Sequence, residues 1–157
     1  MASPRSSSRS PLSTVGADAI VSSLLTVQTS RPGFVDITTE VAKFVVDAGA
    51  REGAVTLFVR HTSASLAIQE NADPSVLDDL MLALDRMAPE DAGWTHDAEG
   101  PDDMPAHVKT MLTASSLHVP VVKGELALGT WQAIYLIEHR ARPHRREIVL
   151  QFIGATR

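Results

Sequence analysis

The chain has 157 residues, enough for one domain with a real core and too few for two comfortable ones. Aromatic residues make up only 4%, so aliphatic side chains must fill that core. A net charge of -5 argues against nucleic acid as a partner. The absence of cysteine excludes disulfides, thiolate zinc sites and cysteine nucleophiles, and suits a cytoplasmic protein. No apolar run approaches the length of a membrane span, so no membrane partner is expected.

Residues 1–21 are rich in Ser, Pro and Arg and read as a disordered tail, with a targeting peptide as the alternative; residues 22–157 read as a single domain. Ser23 to Thr29 alternates weakly and is expected to form a strand. Arg31-Pro32-Gly33 is a turn, and Phe34 to Ile37 is expected to complete a hairpin. Thr38 or Thr39 then caps a helix whose inner face is Val41, Phe44, Val45 and Ala48, with Gly49 stopping it. Gly53 to His61 is the clearest strand: Val55, Leu57, Val59 and His61 point one way, which puts His61 on the buried face. Ser65 to Glu70 alternates again.

Asp73 and Pro74 are an N-cap and first-turn pair opening a second helix, with Leu77, Leu80, Met81, Leu84, Met87 and Ala88 inward. Residues 90–103 form a long acidic connection of a length that is usually functional or mobile. Asp103 is expected to cap a third helix, with Met104, His107, Val108, Met111 and Leu112 as one inward stripe. An imidazole on that stripe needs a hydrogen bond, a charge or a metal. Three strands close the chain: Leu117 to Val122, Glu125 to Arg140 with a break near Gly129, and Arg146 to Ile153. Val122-Lys123-Gly124-Glu125 reads as a tight turn. Irregular interleaving of helices with strands joined mostly by short turns predicts α+β with largely antiparallel sheets.

Three histidines occupy special places: His61 at a strand end, His96 in the acidic loop, His107 on the helix. Three imidazoles with an open fourth position suit a catalytic divalent ion, with Glu70, Asp102 and Asp103 able to support them; a satisfied core pair plus a loop histidine is the alternative. Gly129 within a strand pattern marks a bulge or close approach, and Thr130, Trp131 and Gln132 beside it can line a pocket or simply kink the strand. The run from His139 to Arg146 concentrates positive charge and is either an anion site or a solvated basic turn. The hydroxyls around His61 do not make a serine-nucleophile elbow.

Four segments then occur in a familiar order: Phe58-Val-Arg-His-Thr-Ser-Ala-Ser-Leu66, Gln69-Glu-Asn-Ala-Asp-Pro74, Gly100-Pro-Asp-Asp-Met-Pro-Ala-His107 and Leu128-Gly-Thr-Trp-Gln-Ala-Ile-Tyr135. Together the chain resembles the secondary thiamine-phosphate synthase, or YjbQ-like, family over roughly residues 22–154. The resemblance implies a two-sheet, largely antiparallel β-sandwich with about three helices, assembled as a homotrimer. It implies a divalent metal, zinc first, held by His61, His96 and His107. Asp103 is grouped with them as catalytic. The matching positions Thr62, Ser63, Glu70, Asn71, Gly129, Thr130, Trp131 and Gln132 are expected to bind substrate, with Arg145 as an anion contact. The implied activity is a metal-dependent reaction on a small phosphorylated metabolite, of the thiamine-phosphate-synthase type. A metal-dependent hydrolase and a non-enzymatic trimeric ligand-binding module are the alternatives.

Overall fold

A computed structural model describes residues 7–157. Residues 1–6 of the expected tail lie outside the described residues; residues 7–18 form neither helix nor strand and are exposed. The elements run β1 (Ala19–Thr29), β2 (Gly33–Asp36), α1 (Thr38–Asp47), β3 (Ala50–Val59), β4 (Ala64–Glu70), α2 (Pro74–Met87), α3 (Asp103–Leu112), β5 (Ser116–Val122), β6 (Glu125–Leu126), β7 (Gln132–Glu138) and β8 (His144–Thr156). β1 starts ahead of the domain boundary expected at residue 22 and pairs along its whole length with β8.

Two antiparallel sheets result, one ordered β1-β8-β3-β5-β6 and one ordered β2-β7-β4. Their inner faces make the core. Val55, Leu57 and Val59 from β3 and Ile148, Leu150 and Phe152 from β8 meet Leu66 from β4 and Ile134 and Leu136 from β7, with Val41, Phe44 and Val45 of α1 closing one side. Aliphatic side chains alternating at strand period thus fill the sandwich, as the scarcity of aromatics requires.

The expected hairpin between the first two strands does not form. β1 pairs with β8, whereas β2 pairs with β7 in the other sheet, so the Arg31–Pro32 turn crosses between layers. Two alternating strands joined by a short turn looked local, but the eleven-residue ladder to β8 offers β1 far more pairing than the four-residue β2 can. The tight turn after β5 forms as expected: Val122 faces Glu125, and Lys123 (φ 54°) and Gly124 (φ 85°) both adopt the left-handed conformation of a two-residue hairpin turn.

The helices begin close to where the sequence indicated, but at α3 the N-cap is Asp102 rather than Asp103 and no side chain caps it. Asp73 caps α2 by accepting the Ser75 backbone N–H at 2.9 Å. At α1 the N-cap position is Ile37 and no side chain caps the helix; Asp36 Oδ1, in the turn before it, accepts the Thr38 N–H at 2.8 Å, and the Thr38 hydroxyl accepts the Ile134 N–H. Among the described residues no helix is long and apolar enough to cross a membrane.

α3 departs most. Its buried residues are Asp103, Pro105, Ala106 and Lys109, while Met111 is 89% and Leu112 53% exposed. The apolar stripe expected to face inward lies toward the surface, because ion pairs orient the helix. Asp103 reaches Arg140, and the nearly buried Lys109 ammonium reaches Asp85 of α2 at 2.6 Å. Pairing the two buried charges avoids a cost of several kcal/mol, comparable to that of exposing two apolar side chains at ~25 cal/mol per Å².

Candidate metal centre

The long connection between α2 and α3 is fastened from both sides. The Trp94 indole N–H donates to the Pro89 carbonyl at 2.9 Å, folding the loop's first half back on the end of α2. Its second half is held by Arg140, just beyond β7. Arg140 Nε donates to Asp102 Oδ2 at 3.0 Å, Nη1 to Asp103 Oδ1 at 2.5 Å and Nη2 to the Glu99 carbonyl at 2.9 Å. The Ala141 N–H adds a bond to Asp102 Oδ2 at 2.8 Å. Burial would raise the Asp102 pKa, but these donors outweigh it and hold the carboxyl below its ordinary value.

This clasp leaves Asp103 Oδ2 turned toward two imidazoles. His96 Nε2 stands 2.8 Å away and His107 Nε2 3.4 Å away, the latter one helical turn along α3. The His96 and His107 ring centres are 5.6 Å apart, inclined at 61°. One nitrogen from each ring and one carboxylate oxygen all lie within 4.8 Å of one another, and this is the group of possible ligands that the described residues assemble. Asp103 is 2% exposed, whereas the His96 side chain is 49% and His107 34% exposed, so the cluster opens to solvent over a buried base.

The geometry fits a divalent ion. At zinc–nitrogen and zinc–oxygen bonds of about 2.1 Å, neighbouring ligand atoms of a tetrahedral ion stand about 3.4 Å apart, near the two histidine–carboxylate spacings of 2.8 and 3.4 Å. The donor set is two imidazoles and a carboxylate, one of the recurrent catalytic sets, and solvent access on the histidine side leaves coordination places open. Arg140 on the other carboxylate oxygen is the supporting contact such ligands usually have.

His61 is not brought to this cluster. It follows β3 in the loop 60–63, and its Nε2 accepts the backbone N–H of Glu147 at 2.8 Å. An Nε2 lone pair spent on an N–H is closed to a metal, and the neutral ring then carries its proton on Nδ1. The sequence pattern put His61 on the buried face of a strand, but the strand ends at Val59 and the loop turns the ring toward β8.

The other expected substrate contacts divide between two ends of the second sheet. Glu70 pairs with Gln132 at one end and Ala64 with Glu138 at the other, six residues apart on β7, or about 20 Å at ~3.3 Å per residue. Glu70, Asn71, Gly129, Thr130, Trp131 and Gln132 gather at the first end. There the Asn71 N–H donates to the Trp131 carbonyl, the Gln132 side chain accepts the Gly129 N–H, and Trp131 is 64% exposed. Thr62, Ser63 and Arg140 belong to the second end. Within one chain the Gly129–Gln132 segment therefore does not share a cleft with His96 and His107. Arg145 is also apart: it bonds Glu147 and Thr26 on the exposed face of the first sheet.

The basic run from His139 to Arg146 is neither one anion site nor one solvated turn. Arg142 and Arg145 are exposed, but Arg140 clasps the histidine loop and Arg146 is buried. Arg146 donates Nε to Glu138 Oε2 at 2.7 Å and Nη2 to Glu138 Oε1 at 2.5 Å, a two-pronged pair completed by Thr29 Oγ1 on Glu138 and by Ser63 on Arg146. Burial would raise the Glu138 pKa; the hydrogen bonds from Arg146, Thr29 and the Arg140 N–H win and lower it. Arg140 was the residue missed by sequence reading. Its signal was an arginine two residues after a strand of buried side chains, hidden among neighbouring arginines.

The comparisons agree with this architecture. Residues 23–155 match the family model described as UPF0047 protein YjbQ-like. A UPF0047 protein of Synechocystis sp. is 46% identical over 132 residues, covering 83% of this chain and 90% of that protein. The UPF0047 protein YjbQ of Escherichia coli O157:H7 is 39% identical, covering 83% and 95%. Among solved structures, that of an uncharacterized YjbQ/UPF0047 family protein from Clostridium acetobutylicum superposes with a TM-score of 0.77 at 36% identity, covering 82% of this chain and 98% of that one. A hypothetical protein from Aeropyrum pernix K1 gives a TM-score of 0.79 at 29% identity, covering 86% and 99%. By sequence over nearly the whole domain, and by fold, the chain belongs to the YjbQ-like UPF0047 family.

Proposed function

We propose that the protein is a metal-dependent enzyme acting on a small phosphorylated substrate, with a divalent ion held by His96, His107 and Asp103. The observation that carries this reading is the placement of two imidazole nitrogens against one oxygen of a buried carboxylate whose other oxygen is fixed by Arg140. Zinc is the first expectation, and the same two-histidine, one-carboxylate set also serves iron(II), so the ion is to be identified by analysis.

A bound divalent ion would supply positive charge to developing negative charge on phosphate oxygens, or lower the pKa of a bound water. The chain's own residues do the rest. Arg140 holds both aspartates in place, and His96 and His107 present ring nitrogens from the solvent side. The reaction the family resemblance suggests joins a pyrimidine pyrophosphate to a thiazole phosphate and expels pyrophosphate, a step limited by charge on the leaving group.

Assembly as a homotrimer belongs to the same reading. The outer face of the first sheet carries apolar rows, Ile20 beside Ile153 and Leu24 beside Val149 and Phe58, of which Ile20, Leu24, Phe58 and Ile153 are about half exposed or more. Sedimentation as a monomer at micromolar concentration would refute it.

The activity test uses purified, metal-loaded protein with the pyrimidine pyrophosphate and thiazole phosphate pair, reading pyrophosphate release, against simple phosphate esters. Release with the pair, lost in His107→Ala, is the expected result. Ester hydrolysis alone would assign a hydrolase to the same centre. Saturable binding without turnover under any metal would make it a binding module.

A further inference from the structure

Beside the loop 60–63 lies a concavity of about 860 Å³ between the end of β3 and the second half of α3. Its polar lining consists of Arg60, His61, Thr62, Ser63 and Ser115, together with Thr110 and Thr113 of α3 and the turn that follows it, with no aspartate or glutamate among its lining residues. Some of these donors are free and some are engaged: Arg60 Nη1 reaches Glu147 Oε2 at 3.4 Å. His61 Nε2 is occupied by the Glu147 N–H, so the ring's single proton sits on Nδ1. Ser63 Oγ accepts from Arg146 Nη2 at 3.0 Å, which leaves its own proton to give and polarises it toward giving. Thr110 and Thr113 are spent on backbone carbonyls, but the Thr62 and Ser115 hydroxyls make no hydrogen bond among the described residues. A pocket whose lining residues are N–H and O–H donors and one arginine, with its nearest carboxylate, Glu147, held on Arg60 and Arg145, suits an oxygen-rich anion.

We propose that this pocket is an oxyanion subsite for the phosphate of the substrate, in which His61 serves as a neutral Nδ1–H donor alongside Ser63, Thr62 and Arg60, and not as a metal ligand. Burial, followed by the charge of Arg146, lowers the His61 pKa and keeps the ring neutral at ordinary pH. Neutrality is what fixes the proton on Nδ1, because a protonated ring would set an N–H against the Glu147 N–H. The subsite draws on the proposed function only for the identity of the anion; its donors are in place without the metal.

The test uses the full-length protein stripped of metal with chelator, inorganic phosphate as the ligand, and nitrogen-15 histidine spectra as the readout. The wild type should show His61 protonated at Nδ1, and phosphate should shift that resonance. His61→Ala should weaken phosphate about tenfold, the loss of one charge-assisted hydrogen bond. His61→Asn, whose amide N–H can stand near the Nδ1 position, should restore most of the affinity, and both variants, measured as purified before stripping, should carry the metal content of the wild type. The proposal is overturned if His61 carries its proton on Nε2, if phosphate leaves its resonance unmoved, or if His61→Ala loses metal while binding phosphate normally. A wild-type metal content in His107→Ala would sink the proposed metal centre and leave this subsite intact.

Discussion

Arg140 and Asp103 share a short contact, Nη1 to Oδ1 at 2.5 Å, that fixes which carboxylate oxygen faces the histidines. Without it Asp103 is free to rotate, and the acidic loop loses its anchor at Asp102 and Glu99 together. Arg140→Lys keeps the charge but cannot span two carboxylates and a carbonyl. Metal affinity is expected to fall about tenfold or more in this variant, the usual effect of losing a contact that orients a ligand. Equilibrium dialysis with zinc checks this; an unchanged affinity would show that the clasp is dispensable.

Glu138 and Arg146 form the buried counterpart, the carboxylate fully buried and the guanidinium nearly so. Glu138→Gln leaves a buried guanidinium without its charge partner and should cost about 3 kcal/mol or more in denaturant unfolding. Arg146→Met added to it should recover part of that loss. Because the folded pKa of Glu138 lies below its unfolded value of about 4.5, its contribution is present above that pH and disappears as pH falls through the lowered value. Glu138→Gln should therefore flatten the acid limb of the stability curve; an unaltered limb would contradict the pairing.

His139 is 2% exposed, with Nε2 2.8 Å from Ser65 Oγ and Nδ1 without a partner among the described residues. Burial, then the Lys109 charge, lowers its pKa from 6.5 to about 4, so the folded protein keeps the ring neutral while the unfolded chain takes up a proton first. Stability is full above pH 6.5 and drains away between there and about 4, by about 3 kcal/mol over the interval. Urea unfolding of wild type and His139→Asn at neutral and mildly acidic pH should show a steep loss in the first and a shallower one in the second. Parallel curves would assign the acid sensitivity elsewhere.

Periodicity exposed the sheets well and the site only in part. Val55, Leu57 and Val59 alternate cleanly because one face of β3 meets the core, and Asp73-Pro74 announces α2 because capping chemistry is local. α3 misled for the opposite reason: its buried face is chosen by Asp103–Arg140 and Lys109–Asp85, contacts made 37 and 24 residues away in sequence. The β1–β2 turn misled because β1's partner is at the far end of the chain. His96 and His107 were legible as candidates, since an acidic loop and a helix start are places where imidazoles have work to do. That Asp103, rather than His61, completes their group depends on a loop of four residues turning His61 toward the Glu147 backbone, which no spacing encodes.

On this reading His96, His107 and Asp103 hold one divalent ion. Cobalt(II) titration of the metal-free protein, followed by its visible absorption, tests it most directly. One ion per chain is expected in the wild type and in His61→Ala, with binding lost in His96→Ala and His107→Ala. Full binding in His107→Ala, or its loss in His61→Ala with the fold intact, would contradict the assignment.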